Sequence, residues 1–198
     1  MADIKIILAS GSPRRAEILR NVGASFTVCP TDADETLDPE LSPSKMVCEL
    51  AFRKAKTAVE HLSAADEDAL VIAADTVVVY NGQIMGKPKD EDDAFRMLKQ
   101  LSCSVHDVYT GYSLAKNGFY FTEHVATTVE FLKLSDEMIY RYIKTGEPFD
   151  KAGAYGIQGK GSALVRGIRG DYFNVMGLPI SALAAAAQSQ FDINILGF

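Results

Sequence analysis

Tryptophan is absent from this 198-residue sequence, cysteine and histidine occur three times each, and there is neither a basic run nor a long apolar run. Each shortage removes a class of protein. Cys29, Cys48 and Cys103 are far apart and odd in number, which fits reduced thiols in a cytosolic protein better than a disulfide framework, and none has metal-ligand spacing. His61, His106 and His124 stand on separate elements without ligand or triad spacing, so all three read as structural. No segment nears the ~18 consecutive apolar residues of a membrane span, and the N-terminal apolar run is too short for a signal peptide. The expectation is therefore no membrane, no export and a cytoplasmic location. With 26 acidic against 20 basic side chains the formal net charge is −6, and without a basic run no nucleic-acid partner is expected. Any anion site must be basic locally.

What is present is apolar content of 47%, enough for one good core, expected as a single continuous domain over residues 1–198 with two lobes. The chain alternates strand and helix signals. The apolar run Ile4 to Leu8 predicts a buried first strand and Ala16 to Val22 a helix. Between them, Leu8-Ala-Ser-Gly-Ser-Pro-Arg-Arg15 is a strand-to-helix turn, with Ser12 suited to the N-cap and Pro13 to the first helical position. Free N–H groups at a helix start favour anions, whereas cations there oppose the helix dipole. Arg14 and Arg15 in the first turn therefore suggest a bound anion, most naturally phosphate.

After a short strand at Ser25–Cys29, residues 31–40 form an acidic surface loop that contains Glu35. Ser42-Pro43 opens a long helix with an apolar stripe from Met46 to Leu62, and Lys54 falls close to that stripe. Ala69–Ala74 is an apolar run fit for a central strand that ends at Asp75-Thr76, and a second apolar run, Val77–Tyr80, leads through Asn81-Gly82 into a hairpin. A carboxylate between two such runs needs a partner, since burying it alone is costly. Gly86-Lys87-Pro88 puts Lys87 on a loop. A helix at 90–101, two long strands at 105–116 and 119–134 around Asn117-Gly118, and a short helix capped by Ser135 follow. Asp150 to Gly161 is rich in glycine but is not a Walker loop, because Ala154 stands in place of the first glycine. A strand at Ser162–Val165 and a helix from Ile180 to about Gln188 complete the reading.

An anion-ready helix start, carboxylates at Glu35 and Asp75, and cations at Lys54 and Lys87 are the mixture a nucleoside triphosphate needs. Phosphates require cations and N–H donors, a divalent metal requires oxygen ligands, and either carboxylate could orient or deprotonate a water.

Taken together, Leu8–Arg15, Ala74-Asp-Thr76, Gly86-Lys-Pro88, Asp150–Gly159 and Val175-Met-Gly-Leu-Pro179 resemble the Maf family of nucleotide pyrophosphatases, from about Ile4 to about Ala187. The resemblance implies an α/β fold of the inosine-triphosphate-pyrophosphatase kind, with a long mixed twisted sheet, flanking helices and two lobes around a central substrate cleft. It implies hydrolysis of a nucleoside triphosphate to the monophosphate and pyrophosphate with a divalent cation, Mg²⁺ or Mn²⁺. It also implies roles: Asp75 as proton acceptor or metal ligand, Glu35 as a second acidic group near the metal, and Ser10, Arg15, Lys54 and Lys87 as phosphate contacts, Lys87 among the catalytic residues. A homodimer is compatible with it.

Three positions separate the family's branches. Arginine after Ser-Pro, threonine after the catalytic aspartate and glutamine in the glycine-rich motif, here Arg14, Thr76 and Gln158, resemble the branch acting on dTTP and UTP. CTP and modified pyrimidine nucleotides could share that site. The other branch carries tryptophan after Ser-Pro and prefers 7-methyl-GTP, a cationic purine that stacks well on indole. Gln158 and Thr76 each offer a donor and an acceptor, which suits the edge of uracil or thymine. The alternatives are the 7-methyl-GTP branch and a non-catalytic nucleotide-binding regulator of septum formation.

Overall fold

The computed structural model describes residues 4–36, 38 and 40–198, as a mixed α/β protein built on a long twisted open sheet flanked by helices. In chain order its elements are β1 (Ile6–Leu8), α1 (Pro13–Asn21), β2 (Phe26–Val28), α2 (Pro43–Glu60), β3 (Leu70–Tyr80), β4 (Gln83–Met85), α3 (Glu91–Leu101), β5 (Val105–Lys116), β6 (Phe119–Phe131), α4 (Asp136–Ile143), β7 (Val165–Arg169), α5 (Tyr172–Met176) and α6 (Ile180–Phe191). The strands run β2-β1-β3-β5-β6-β7, with β4 paired to β3. No helix among the described residues is long and apolar enough to cross a membrane, and none of the three cysteines forms a disulfide.

Two compact units share the chain. The first comprises the described residues up to Asp75 with Thr110–Val125 and Gly177–Phe198. Its β1 lies between β2 and β3, parallel to both, with Leu8 opposite Val28 and Ile72. A strand flanked by parallel neighbours and covered on both faces reads as an unbroken apolar run, which is what Ile6-Ile7-Leu8 supplies. Helix α2 approaches the sheet through small residues, Ala55 and Ala58 meeting Ala69, Val71, Ala73 and Ala115. The approach is closest at Gly111, where a Cβ would lie 2.2 Å from the carbonyl oxygen of Val47. Glycine is required there for space, and the close seating fixes the helix that carries Lys54.

The second unit comprises Thr76–Tyr109 and Ala126–Met176. Its core joins Val78, Leu98, Leu101, Val108, Val129, Phe131, Ile139, Ile143 and Leu164. Asp90 caps α3 by accepting from the Asp93 amide, and acidic residues fill its first turn while Lys99 lies in its last, both favourable to the helix dipole. Asn81 and Gly82 both have positive φ, 50° and 74°, as the tight β3–β4 hairpin demands.

Three local expectations change. The runs on either side of Asp75 are one strand, β3, because the carboxylate is neutralised in place and need not end the ladder. The strand expected at Ser162–Val165 is a 3₁₀ turn over Gly159–Leu164, and pairing to β6 begins at Val165. Ser12 occupies the N-cap position of α1 without a side-chain cap bond; its amide is instead bound by Ser10 Oγ at 3.2 Å.

Candidate active site

In the first unit, the parallel ladder carries on past Leu8, with the Ala9 amide donating to Ile72 at 2.8 Å. Ser10 thus leaves the carboxyl end of β1 beside the part of β3 that leads to Asp75, the end of a parallel sheet where ligands usually bind. Ser10 is buried, and its Oγ accepts from Arg15 Nη1 at 3.0 Å as well as from the Ser12 amide. Arg15 also donates through Nε to the carbonyl of Gly177 at 2.8 Å. Desolvation pulls the guanidinium pKa below its ordinary value, Asp75 pulls it up, Arg14 adds to the lowering and Glu35 opposes it. An arginine nevertheless stays charged. It is a cation held rigidly within reach of two carboxylates.

Lys54 joins those carboxylates. Its Nζ lies 2.7 Å from Asp75 Oδ1 and 2.8 Å from Glu35 Oε1. The Lys54 and Asp75 side chains are each 14% exposed against 65% for Glu35, so the inner pair is nearly desolvated and the outer carboxylate faces solvent. Arg53, one residue earlier on α2, braces the acidic loop on both sides of Glu35 by donating to the carbonyls of Asp34 at 3.3 Å and Thr36 at 2.7 Å. Consecutive residues of one helix thereby fix both the backbone and the side chain of Glu35.

In the second unit the glycine-rich segment forms a closed loop. The Gly153 amide donates to the Gly86 carbonyl at 3.0 Å, tying the segment to the loop that carries the exposed Lys87. Gly153 and Ala154 take φ values of 69° and 59°, so an alanine holds the left-handed backbone that glycine would adopt more easily. Further on, Glu147 accepts from the amides of Lys160 and Gly161, each at 3.0 Å, and from the hydroxyl of Tyr142 at 2.9 Å. Burial works to raise the Glu147 pKa, but these donors outweigh it and hold the carboxyl below its ordinary range. Tyr142 in turn accepts from the Gly156 amide at 3.1 Å. A Cβ on Gly161 would stand 2.3 Å from the carbonyl oxygen of Gly156, so the two ends of this loop touch.

A family model described as "Maf-like protein" matches residues 5–190. The chain belongs to the Maf family. Maf relatives similar to it include the "dTTP/UTP pyrophosphatase" of Alkaliphilus oremlandii (strain OhILAs), 50% identical over 97% of this chain and 99% of that one. A second, of the same name from Thermoanaerobacter sp. (strain X514), is 48% identical over 98% of this chain and all of that one. Among solved structures, the Staphylococcus aureus Ham1 protein matches with a TM-score of 0.48 at 16% identity, over 81% of this chain and 79% of that chain.

Of the residues singled out in this Maf sequence, the fold gathers Ser10, Arg15, Glu35, Lys54 and Asp75 into one cluster, with Arg14 close enough to act on Arg15. Thr76 follows Asp75 on β3 and is half-buried, its side chain on the opposite face by the pleat of the strand. Gln158 is half-buried at the N-cap position of the Gly159–Leu164 turn. Sequence reasoning missed Arg53, Tyr142 and Glu147. Loop amides need acceptors, so a carboxylate near a glycine-rich stretch is a candidate. One among 26 acidic side chains is not distinguishable by composition, however.

Proposed function

We propose that the protein is a cytoplasmic nucleoside triphosphate pyrophosphatase that hydrolyses dTTP and UTP to the monophosphate and pyrophosphate. The observation that carries the chemistry is the nearly desolvated Asp75, held by Lys54 beside the fixed cation Arg15. The names of the relatives at about half identity support the substrate.

In this reading Asp75 accepts a proton from a water that attacks the α-phosphorus. The new P–O bond forms as the bond to the bridging oxygen breaks, and that oxygen leaves with pyrophosphate. Lys54 and Arg15 offset the negative charge growing on the phosphates, already in position before the reaction and without solvent rearrangement. Ser10, whose oxygen accepts from Arg15 and Ser12, turns its own O–H to a phosphate oxygen. Lys87 supplies a further cation to the phosphates, and Arg14, Thr76 and Gln158 select the base.

Glu35 and Asp75 also fit a divalent metal. Both aim an oxygen at one positive centre, the Lys54 ammonium, and a pair of carboxylate oxygens completed by water and phosphate oxygens is the donor set that Mg²⁺ or Mn²⁺ accepts. A metal bound there would polarise phosphate oxygens and lower the pKa of a bound water.

The test is pyrophosphate release from a panel of nucleotides with Mg²⁺ or Mn²⁺. Turnover of dTTP and UTP is the expected result. Turnover of 7-methyl-GTP alone would assign the other branch, and tight triphosphate binding with no product would make the protein a nucleotide-binding regulator.

A further inference from the structure

We infer that Glu147 and Tyr142 are positioning residues for base selection: they close the Gly156–Gly161 loop on itself and so hold Gln158 in the orientation that reads the base. This rests on the proposed assignment of Gln158 to base recognition. Three observations carry it. First, the two side chains grip the loop at both ends, Tyr142 Oη taking the Gly156 amide and the Glu147 carboxylate taking those of Lys160 and Gly161. Second, the grips are coupled, because the Tyr142 hydroxyl donates to the same carboxylate. Third, the loop is shaped for this contact. A Cβ on Gly159, which has a φ of 66°, would meet Glu147 Oε2 at 2.9 Å, and one on Gly161 would meet Tyr142 Oη at 2.6 Å. Hydrogen bonds to a carboxylate are stronger than neutral ones, so this acceptor is a firm anchor for loop backbone. It also occupies the amides of Lys160 and Gly161, which in a glycine-rich loop would otherwise be donors for a ligand phosphate. The loop is thereby committed to presenting a side chain.

Gln158 lies between the two grips, at extended backbone angles of −90° and 168°. The glutamine amide has a donor end, its NH₂, and an acceptor end, its carbonyl oxygen, and discrimination between bases requires that each end face the correct edge atom. A mobile loop would let the amide serve several bases equally; a fixed one favours the base it faces.

The experiment compares kcat and KM for UTP and ATP in the wild type, Glu147→Gln, Tyr142→Phe, Gln158→Ala and the Glu147→Gln/Gln158→Ala double variant. Glutamine at 147 keeps the shape but turns an NH₂ toward an amide donor. The expected result is an about tenfold fall in the UTP:ATP ratio of kcat/KM, the worth of one neutral hydrogen bond to the base, mostly through a higher KM for UTP. In the double variant the ratio should match that of Gln158→Ala alone, since Glu147 acts through Gln158. Equal losses on UTP and ATP, or a further fall in the double variant, would overturn the inference. If Gln158→Ala leaves the ratio unchanged, the base-reading assignment fails first and the inference falls with it, a different pattern from Gln158→Ala shifting the ratio while Glu147→Gln does not. Should Glu147→Gln not fold, Tyr142→Phe carries the same comparison, because it releases the Gly156 amide and leaves the carboxylate in place.

Discussion

Acidification should destabilise the protein over a window set by His106. Its imidazole is buried among aromatic rings, with centroids 5.1 Å from Phe131 and 5.3 Å from Tyr155, and Nε2 is 2.7 Å from the Tyr155 hydroxyl. Nδ1 is buried without a hydrogen-bond partner, so a proton added there would meet no acceptor. Burial lowers the pKa from 6.5 to about 4, only partly opposed by Asp107. The native state therefore favours the neutral ring, whereas the unfolded chain takes up a proton near pH 6.5. The stability tied to the neutral ring is complete above pH 6.5, falls as the pH drops below it, and is gone below about pH 4. That gap corresponds to about 3 kcal/mol, a large share of the 5–15 kcal/mol typical of a folded domain. The assay is urea denaturation of the wild type and His106→Phe at half-unit steps from pH 7 to pH 4. Phenylalanine fills similar space and cannot titrate. The variant should be less stable at pH 7, where Tyr155 loses its partner, but nearly flat through the window. An equally steep decline in both proteins would show that the proton uptake lies elsewhere and refute the reasoning.

Asp75→Asn should leave the fold unchanged by circular dichroism and lower kcat by roughly 10²–10⁴-fold, the range for removing a general base; near-normal turnover would take Asp75 out of the chemistry. Lys54→Met removes the ion-pair partner of the nearly desolvated Asp75 carboxylate, so we expect a loss of about 3 kcal/mol in urea denaturation at pH 7, and a change below 1 kcal/mol would mean that Arg15 or solvent compensates Asp75 without Lys54. Gly111→Ala pushes a methyl group against the Val47 carbonyl and should cost about 1–3 kcal/mol by overpacking, with turnover falling as α2 and its Lys54 are displaced; a wild-type melting curve would contradict the close seating. Arg53→Ala should raise hydrogen exchange at the amides of residues 34–36 while leaving α2 protected, and unchanged exchange would show that the acidic loop is held by other contacts.

Local order was legible in the linear sequence because its causes are local. The apolar run before Ser10 had to be a buried strand, Pro13 had to open a helix, and Asn81-Gly82 and Asn117-Gly118 had to turn hairpins, each following from steric and hydration preferences of a few neighbouring residues. The ordered motifs from Leu8 to Pro179 likewise sufficed to recognise the Maf family. Tertiary structure alone decided which charges meet. Asp75 interrupts two apolar runs in the sequence yet lies within one strand, because a lysine 21 positions away neutralises it, and no periodicity encodes that pairing. The same holds for Glu147, whose carboxylate takes amides 13 and 14 residues away. Coulombic and hydrogen-bonding partners depend on distance through space, and helix packing as close as α2 on Gly111 sets that distance.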